Sequence, residues 1–191
     1  AAADAAIQAA MANCPADLRV SWFGIEGTWV ARDPSTKFTQ SYREYLLANG
    51  LISSDADLIG TPGDLEDGAA AIVDLAEHFD WRGSATRAIF FLGDEPLEGG
   101  TPQDANDVAA ADGAIAAANA RAVTVFTYAG TGILEAAKSE YARVASDTGG
   151  IAFESPVANL GGFESVLEQI ICASGRGACV AIELPEISPS F

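Results

Sequence analysis

The stretch Arg87-Ala-Ile-Phe-Phe-Leu-Gly-Asp-Glu-Pro96 constrains the fold more than any other part of the chain. Ile89, Phe90, Phe91 and Leu92 form an unbroken apolar run. Such a run, bounded by turn residues, is the pattern of a parallel strand covered by helices on both faces. It stops at Gly93-Asp94-Glu95-Pro96, and open α/β sheets hold their ligands beyond the carboxyl ends of their strands. Asp94 is therefore the first candidate for function. The competing reading is an ordinary loop-capping aspartate in a Gly/Pro turn.

The chain on either side alternates strand and helix patterns. Residues 1–13 are Ala-rich, with Ile7 and Met11 spaced as on one helix face, and Leu18-Arg-Val-Ser-Trp-Phe-Gly-Ile25 is rich in strand formers. A short return strand fits 28–30 or 38–40, a brief helix fits Tyr42 to Leu47, and 51–68 reads as a long loop. Helix patterns follow over Leu65 to Phe79, with Ile72, Val73, Leu75, Ala76 and Phe79 inward, and from Thr101-Pro-Gln-Asp104, with Thr101 as cap, to Ala120. Next come a strand at Val123 to Tyr128, a helix at Leu134 to Ala145 carrying Leu134, Ala137, Tyr141 and Val144, and a strand at Ile151 to Phe153. A helix at Phe163 to Cys172 and an apolar strand at Ala178 to Leu184 complete the series. This order predicts a three-layer, doubly wound α/β fold on a mostly parallel sheet. One domain covers 1–175, and 176–191 reads as a strand and tail leading into a further segment.

Hydrophobic residues make up 49% and charged residues 19% of the 191, which suits one packed domain rather than disorder. The net charge of −17 repels phosphate backbones and anionic lipid, so neither nucleic acid nor a membrane surface is an expected partner. No apolar run approaches the roughly 20 residues of a membrane span. Lys37 and Lys138 are the only lysines, a composition suited to salty surroundings, divalent cations or a basic partner. Cys14, Cys172 and Cys179 lack paired metal spacing; a Cys172–Cys179 bridge and three reduced thiols both fit, with the cytoplasm slightly favoured over the outside. The single histidine, His78, falls at a helix C-terminus, where a capping or dipole role is ordinary. Phosphate-binding glycine loops and the Gly-x-Ser-x-Gly elbow are both missing from the sequence, so no enzyme is expected.

Three passages resemble the von Willebrand factor A family, in its bacterial, hemicentin-like branch. Leu18-Arg-Val-Ser-Trp-Phe-Gly-Ile25 is similar to the second strand of that family. Phe79-Asp-Trp-Arg-Gly-Ser-Ala-Thr-Arg-Ala-Ile-Phe-Phe-Leu-Gly-Asp-Glu-Pro96 is similar to its fourth strand with the preceding helix end, and Glu140-Tyr-Ala-Arg-Val-Ala-Ser-Asp-Thr-Gly-Gly150 to the helix and turn before its last strand. The resemblance implies a divalent cation, Mg²⁺ or Ca²⁺, at a metal-ion-dependent adhesion site on the carboxyl edge of the sheet, with an open coordination position for a partner's carboxylate. It implies Asp94 as one ligand and, from the loop Gly60-Thr-Pro-Gly-Asp64, Thr61 with Asp64 and Glu66 as competitors. Helix capping and dipole complementation account equally for Thr61, Asp64 and Glu66.

The family's first strand and its Asp-x-Ser-x-Ser motif have no counterpart in this sequence. In the family that strand lies between those matching 18–25 and 87–93, so its loss implies a gap of roughly 10 Å where strands should sit about 5 Å apart. Residues ahead of Ala1, a strand from another chain, or Ala178 to Leu184 folding back would each fill it; residues ahead of Ala1 are the first expectation, and an oligomer is a further one. The expected function is a non-enzymatic, adhesion-type protein-binding module working through a metal ion. The alternative is a metal-free structural or assembly domain.

Overall fold

The computed structural model of the chain describes residues 8, 12, 17–25, 40–60, 66–100, 102–154 and 160–175. In order, its elements are α1 (Tyr42–Ala48), a 3-10 turn (Asp55–Asp57), α2 (Gly68–His78), β1 (Arg87–Gly93), α3 (Ala105–Ala120), β2 (Val123–Ala129), α4 (Glu135–Asp147), β3 (Ala152–Glu154) and α5 (Leu160–Gly175). The three strands form a parallel sheet in the order β1-β2-β3. Arg87 lies opposite Val123, Gly93 opposite Ala129, and Thr127 opposite Ala152. The fold is α/β.

Alternation along the strands divides the core into two layers. Ile89 and Phe91 of β1, with Val123, Val125 and Ala129 of β2, pack with residues of α2, α3 and α4. Ala88 and Phe90, with Phe126 and Phe153, meet Val166 and Ile170 of α5 on the other face. Helix α3 presents Ala111, Ala114 and Ala118, all fully buried, so small side chains let it lie close to its neighbours. Thr148 ties α4 to β2: its Oγ1 accepts from the Val125 N–H at 3.0 Å and donates to the Val144 carbonyl at 2.7 Å.

Four expectations are corrected. The strand at 87–93, expected to be covered on both faces, is fully buried only at Phe91, because it borders a cavity, whereas β2 is buried along most of its length. Residues 17–25 form no ladder among the described residues, making one isolated bridge between Gly24 and Ser41. Helix α3 starts three residues later than expected. Its cap is Asp104, which accepts from the Asn106 N–H and completes a capping box with Asp107. Leu134 is exposed, because it precedes the first turn of α4 instead of lying on its inner face. The strand expected at 178–184, the helix at 1–13 apart from helical Gln8 and Ala12, and the return strand at 28–30 or 38–39 lie outside the described residues.

The cavity measures about 580 Å³ and is lined by β1 and by the segment 17–25. Ile72 and Leu75 of α2 line one face, Leu167 and Ile170 of α5 the other, and Trp22 the far side. Segment 17–25 is pinned at its start to the residues just ahead of β1. Arg82 donates to the Asp17 carboxylate at 2.7 Å and Arg19 to the Asp80 carboxylate at 2.9 Å. From there it runs in the direction of β1 until Gly24 bonds to Gln40 and Tyr42.

Candidate functional site

The apolar run of β1 ends where its chain must turn, and this delivers Asp94 to the carboxyl edge as an exposed side chain. The Gly130 N–H donates to the Gly93 carbonyl at 2.8 Å, closing β1 and β2 together just beneath it. A side chain at position 130 would meet the Asp94 Cβ at 2.9 Å, so glycine there leaves room for Asp94. Among the described residues the Asp94 carboxylate makes no hydrogen bond. Glu95 beside it is engaged, accepting from the Gly100 N–H at 2.7 Å.

Beneath these acids lies Tyr141, buried, with its ring edge-on to Phe91 and its hydroxyl donating to the Glu95 carbonyl at 2.7 Å. Burial holds its ionisation well above the usual tyrosine range, and the negative charges of Asp94, Glu66 and Glu95 add to the effect. Two of the expected site residues, Asp94 and Glu66, therefore act on this hydroxyl through their charge. Thr61 and Asp64 lie outside the described residues. Asp94 and Glu66 supply the hard oxygen donors that suit Mg²⁺ or Ca²⁺.

A second acidic group went unrecognised in the sequence. Glu98, Asp104 and Asp107 place ligand atoms within 4.8 Å of one another, close enough to hold a metal ion. Hydrogen bonding accounts for this geometry without an ion: Asp107 accepts from the backbone of Glu98 at 3.0 Å and of Asp104 at 2.8 Å, fixing the start of α3. The signal was visible as Asp104-x-x-Asp107, an acidic capping pair at the head of an Ala-rich helix.

Asp74 is the other group the sequence concealed. It is 1% exposed and accepts three hydrogen bonds, from the Tyr42 hydroxyl at 3.0 Å, the Ile59 N–H at 2.9 Å and the Gly60 N–H at 3.2 Å. Ile59 and Gly60 are therefore fixed to α2. Arg43, also buried, lies over the Tyr42 ring at 5.3 Å, and its Nη1 makes no hydrogen bond.

Asp67 caps α2, accepting from the Ala70 N–H at 2.8 Å. Burial raises its pKa, the charges of Glu98 and Asp74 raise it further, and the Ala70 N–H opposes them. A carboxyl raised on folding loses its proton first in the unfolded chain, so its contribution to stability falls as pH climbs through and above the ordinary carboxylate range. An asparagine at this position would cap equally well without a charge. Asp67→Asn is therefore expected to gain stability relative to the parent as pH rises from about 4 to 7, measured as the difference between their urea midpoints.

His78 ends α2, with Nε2 4.0 Å from the Glu77 carboxylate. Cys172 is disulfide-bonded, which sets aside the reading of three free thiols; Cys14 and Cys179 lie outside the described residues. Among the described residues no helix is long and apolar enough to cross a membrane. No family model, curated protein or solved structure matches this chain.

Proposed function

We propose that the chain is a non-enzymatic protein-binding module of the von Willebrand factor A kind, which takes a partner's carboxylate through a divalent cation at the carboxyl edge of its sheet. The observation carrying this reading is Asp94: an exposed carboxylate without a hydrogen bond among the described residues, set beyond β1, with the charges of Glu66 and Glu95 acting on the same buried tyrosine as its own. Asp94 and Glu66 would hold the ion, with Thr61 and Asp64 as the further ligands the resemblance implies. The bound ion supplies a coordination position that an acidic partner side chain fills. The Cys172 disulfide supports a place in an oxidising compartment rather than the cytoplasm.

Thermal unfolding of the chain with Mg²⁺, Mn²⁺ or Ca²⁺ tests this. A specific site raises stability by mass action, about 2.7 kcal/mol at a hundredfold excess over Kd. The rise should vanish in Asp94→Ala and persist in Asp104→Asn, which alters the capping group instead. An unresponsive parent protein ends the metal reading.

The second reading, a metal-free assembly domain with Asp94 as a loop residue, is favoured by the apolar cavity beside β1. Under it, cations leave the melting curve unchanged and the cavity accounts for association.

A further inference from the structure

We infer that Arg43 holds one small monoanion, of the size of chloride or formate, in a buried site between α1 and the loop at 59–60. This stands apart from the metal reading, since none of Asp94, Glu66, Thr61 and Asp64 takes part in it.

The site is built on a charge that lacks an acceptor. Arg43 is 4% exposed, and its Nη1 is buried without a hydrogen bond. A guanidinium cannot relieve this by losing a proton. The Tyr42 ring lies 5.3 Å from its Cζ and replaces part of the lost hydration, but a ring face offers no acceptor to an N–H that points along the guanidinium plane. Only one other buried side-chain atom among the described residues, Gln103 Oε1, is left in this state. Such exceptions call for a water or an ion.

The surrounding carboxylates are already engaged. Arg43 acts through its charge on the Tyr42 hydroxyl and on Asp67. That hydroxyl donates to Asp74, which also takes the N–H groups of Ile59 and Gly60, while Asp67 takes that of Ala70. Turning either carboxylate toward Nη1 would give up hydrogen bonds that hold the backbone. The guanidinium has no room to approach the loop instead. A Cβ on Gly60 would lie 2.6 Å from Nη2 and 2.6 Å from the Tyr42 hydroxyl, so the group already rests against bare backbone.

An acceptor must therefore come to Nη1, and its properties follow from the surroundings. It is an anion, because a water would meet the hydrogen bond and leave the charge, whereas an anion answers both. It carries a single charge, because Asp67 and Asp74 repel any more. It is small, because Nη1 is buried. In a chain of net charge −17 a free anion is repelled until salt screens the field, so the site fills as salinity rises.

Thermal melting in EDTA, with chloride replacing gluconate at constant ionic strength, tests the assignment. The midpoint of the parent is expected to climb by several degrees along a saturating curve. Arg43→Met keeps an unbranched side chain without its charge, and an unpaired buried charge is costly. The variant should therefore melt no lower than the parent in gluconate and below it in chloride, a reversal that a purely packing role for Arg43 does not give. A chloride response that is equal in the two proteins, or absent from the parent, overturns the proposal. If the variant does not fold, crystals of the parent grown in bromide decide. An anomalous peak in contact with Nη1 supports the site, and a water or nothing at that position overturns it.

Discussion

Asp74→Ala is expected to destabilise the protein by about 3–5 kcal/mol, the cost of removing a buried charged partner from donors that have no substitute. The carboxylate is held in the middle of α2, in a run that otherwise carries Ala71, Ile72, Val73, Leu75 and Ala76. Its three donors come from two separate places, α1 and the loop at 59–60. Truncation leaves the Tyr42 hydroxyl and two backbone N–H groups facing a small apolar void. Tyr42→Phe removes one donor and leaves the other two satisfied, so about 1 kcal/mol is expected. Urea denaturation of the two variants and their double mutant gives the coupling directly. A loss below about 1 kcal/mol for Asp74→Ala would mean that the 59–60 loop is anchored by something else.

Gly150→Ala is expected to cost more than about 4 kcal/mol or to abolish folding, because the clash is with backbone. A Cβ at this position would lie 2.0 Å from the Val125 carbonyl oxygen and 2.8 Å from its carbon. Val125 is in the middle of β2 and is held there by Thr148, two residues before the glycine. Relief would require α4 and β2 to separate. Gly113→Ala provides the contrast. That glycine lies within α3 with nothing inside 4 Å of its would-be Cβ, so alanine should stabilise by about 0.5–1 kcal/mol through helix propensity. For a chain of this size the gain corresponds to a rise of a few degrees in melting temperature. Scanning calorimetry of both variants checks the pair, and similar behaviour of the two would contradict the close approach of Gly150 to β2.

The elements legible in the sequence were those whose pattern is complete within themselves. The run at 89–92, the alternation at 123–128 and the Ala-rich stretch before Ala120 each carry their own periodicity, and each formed close to its expected limits. Segment 17–25 has equally strong strand formers but no ladder among the described residues, since pairing depends on a neighbour and not on propensity. Asp94 was legible because it interrupts an apolar run at a position with a topological meaning. Asp74 was not. A lone aspartate in an apolar helix pattern reads as the solvent face, and its burial is set by Tyr42, 32 residues away. The Glu98, Asp104 and Asp107 group was hidden for a related reason: Glu98 reaches it through a loop whose path local composition does not specify.

The edge of β1 that pairs with no strand among the described residues also bears on how the polypeptide behaves while it is being made. Residues of α2 and α5 line the cavity beside β1, so a single extended chain fits against that edge more readily than a finished sheet does. Misassembly should therefore track the concentration of nascent chains rather than of finished protein. Slower synthesis would improve the soluble yield more than dilution after purification.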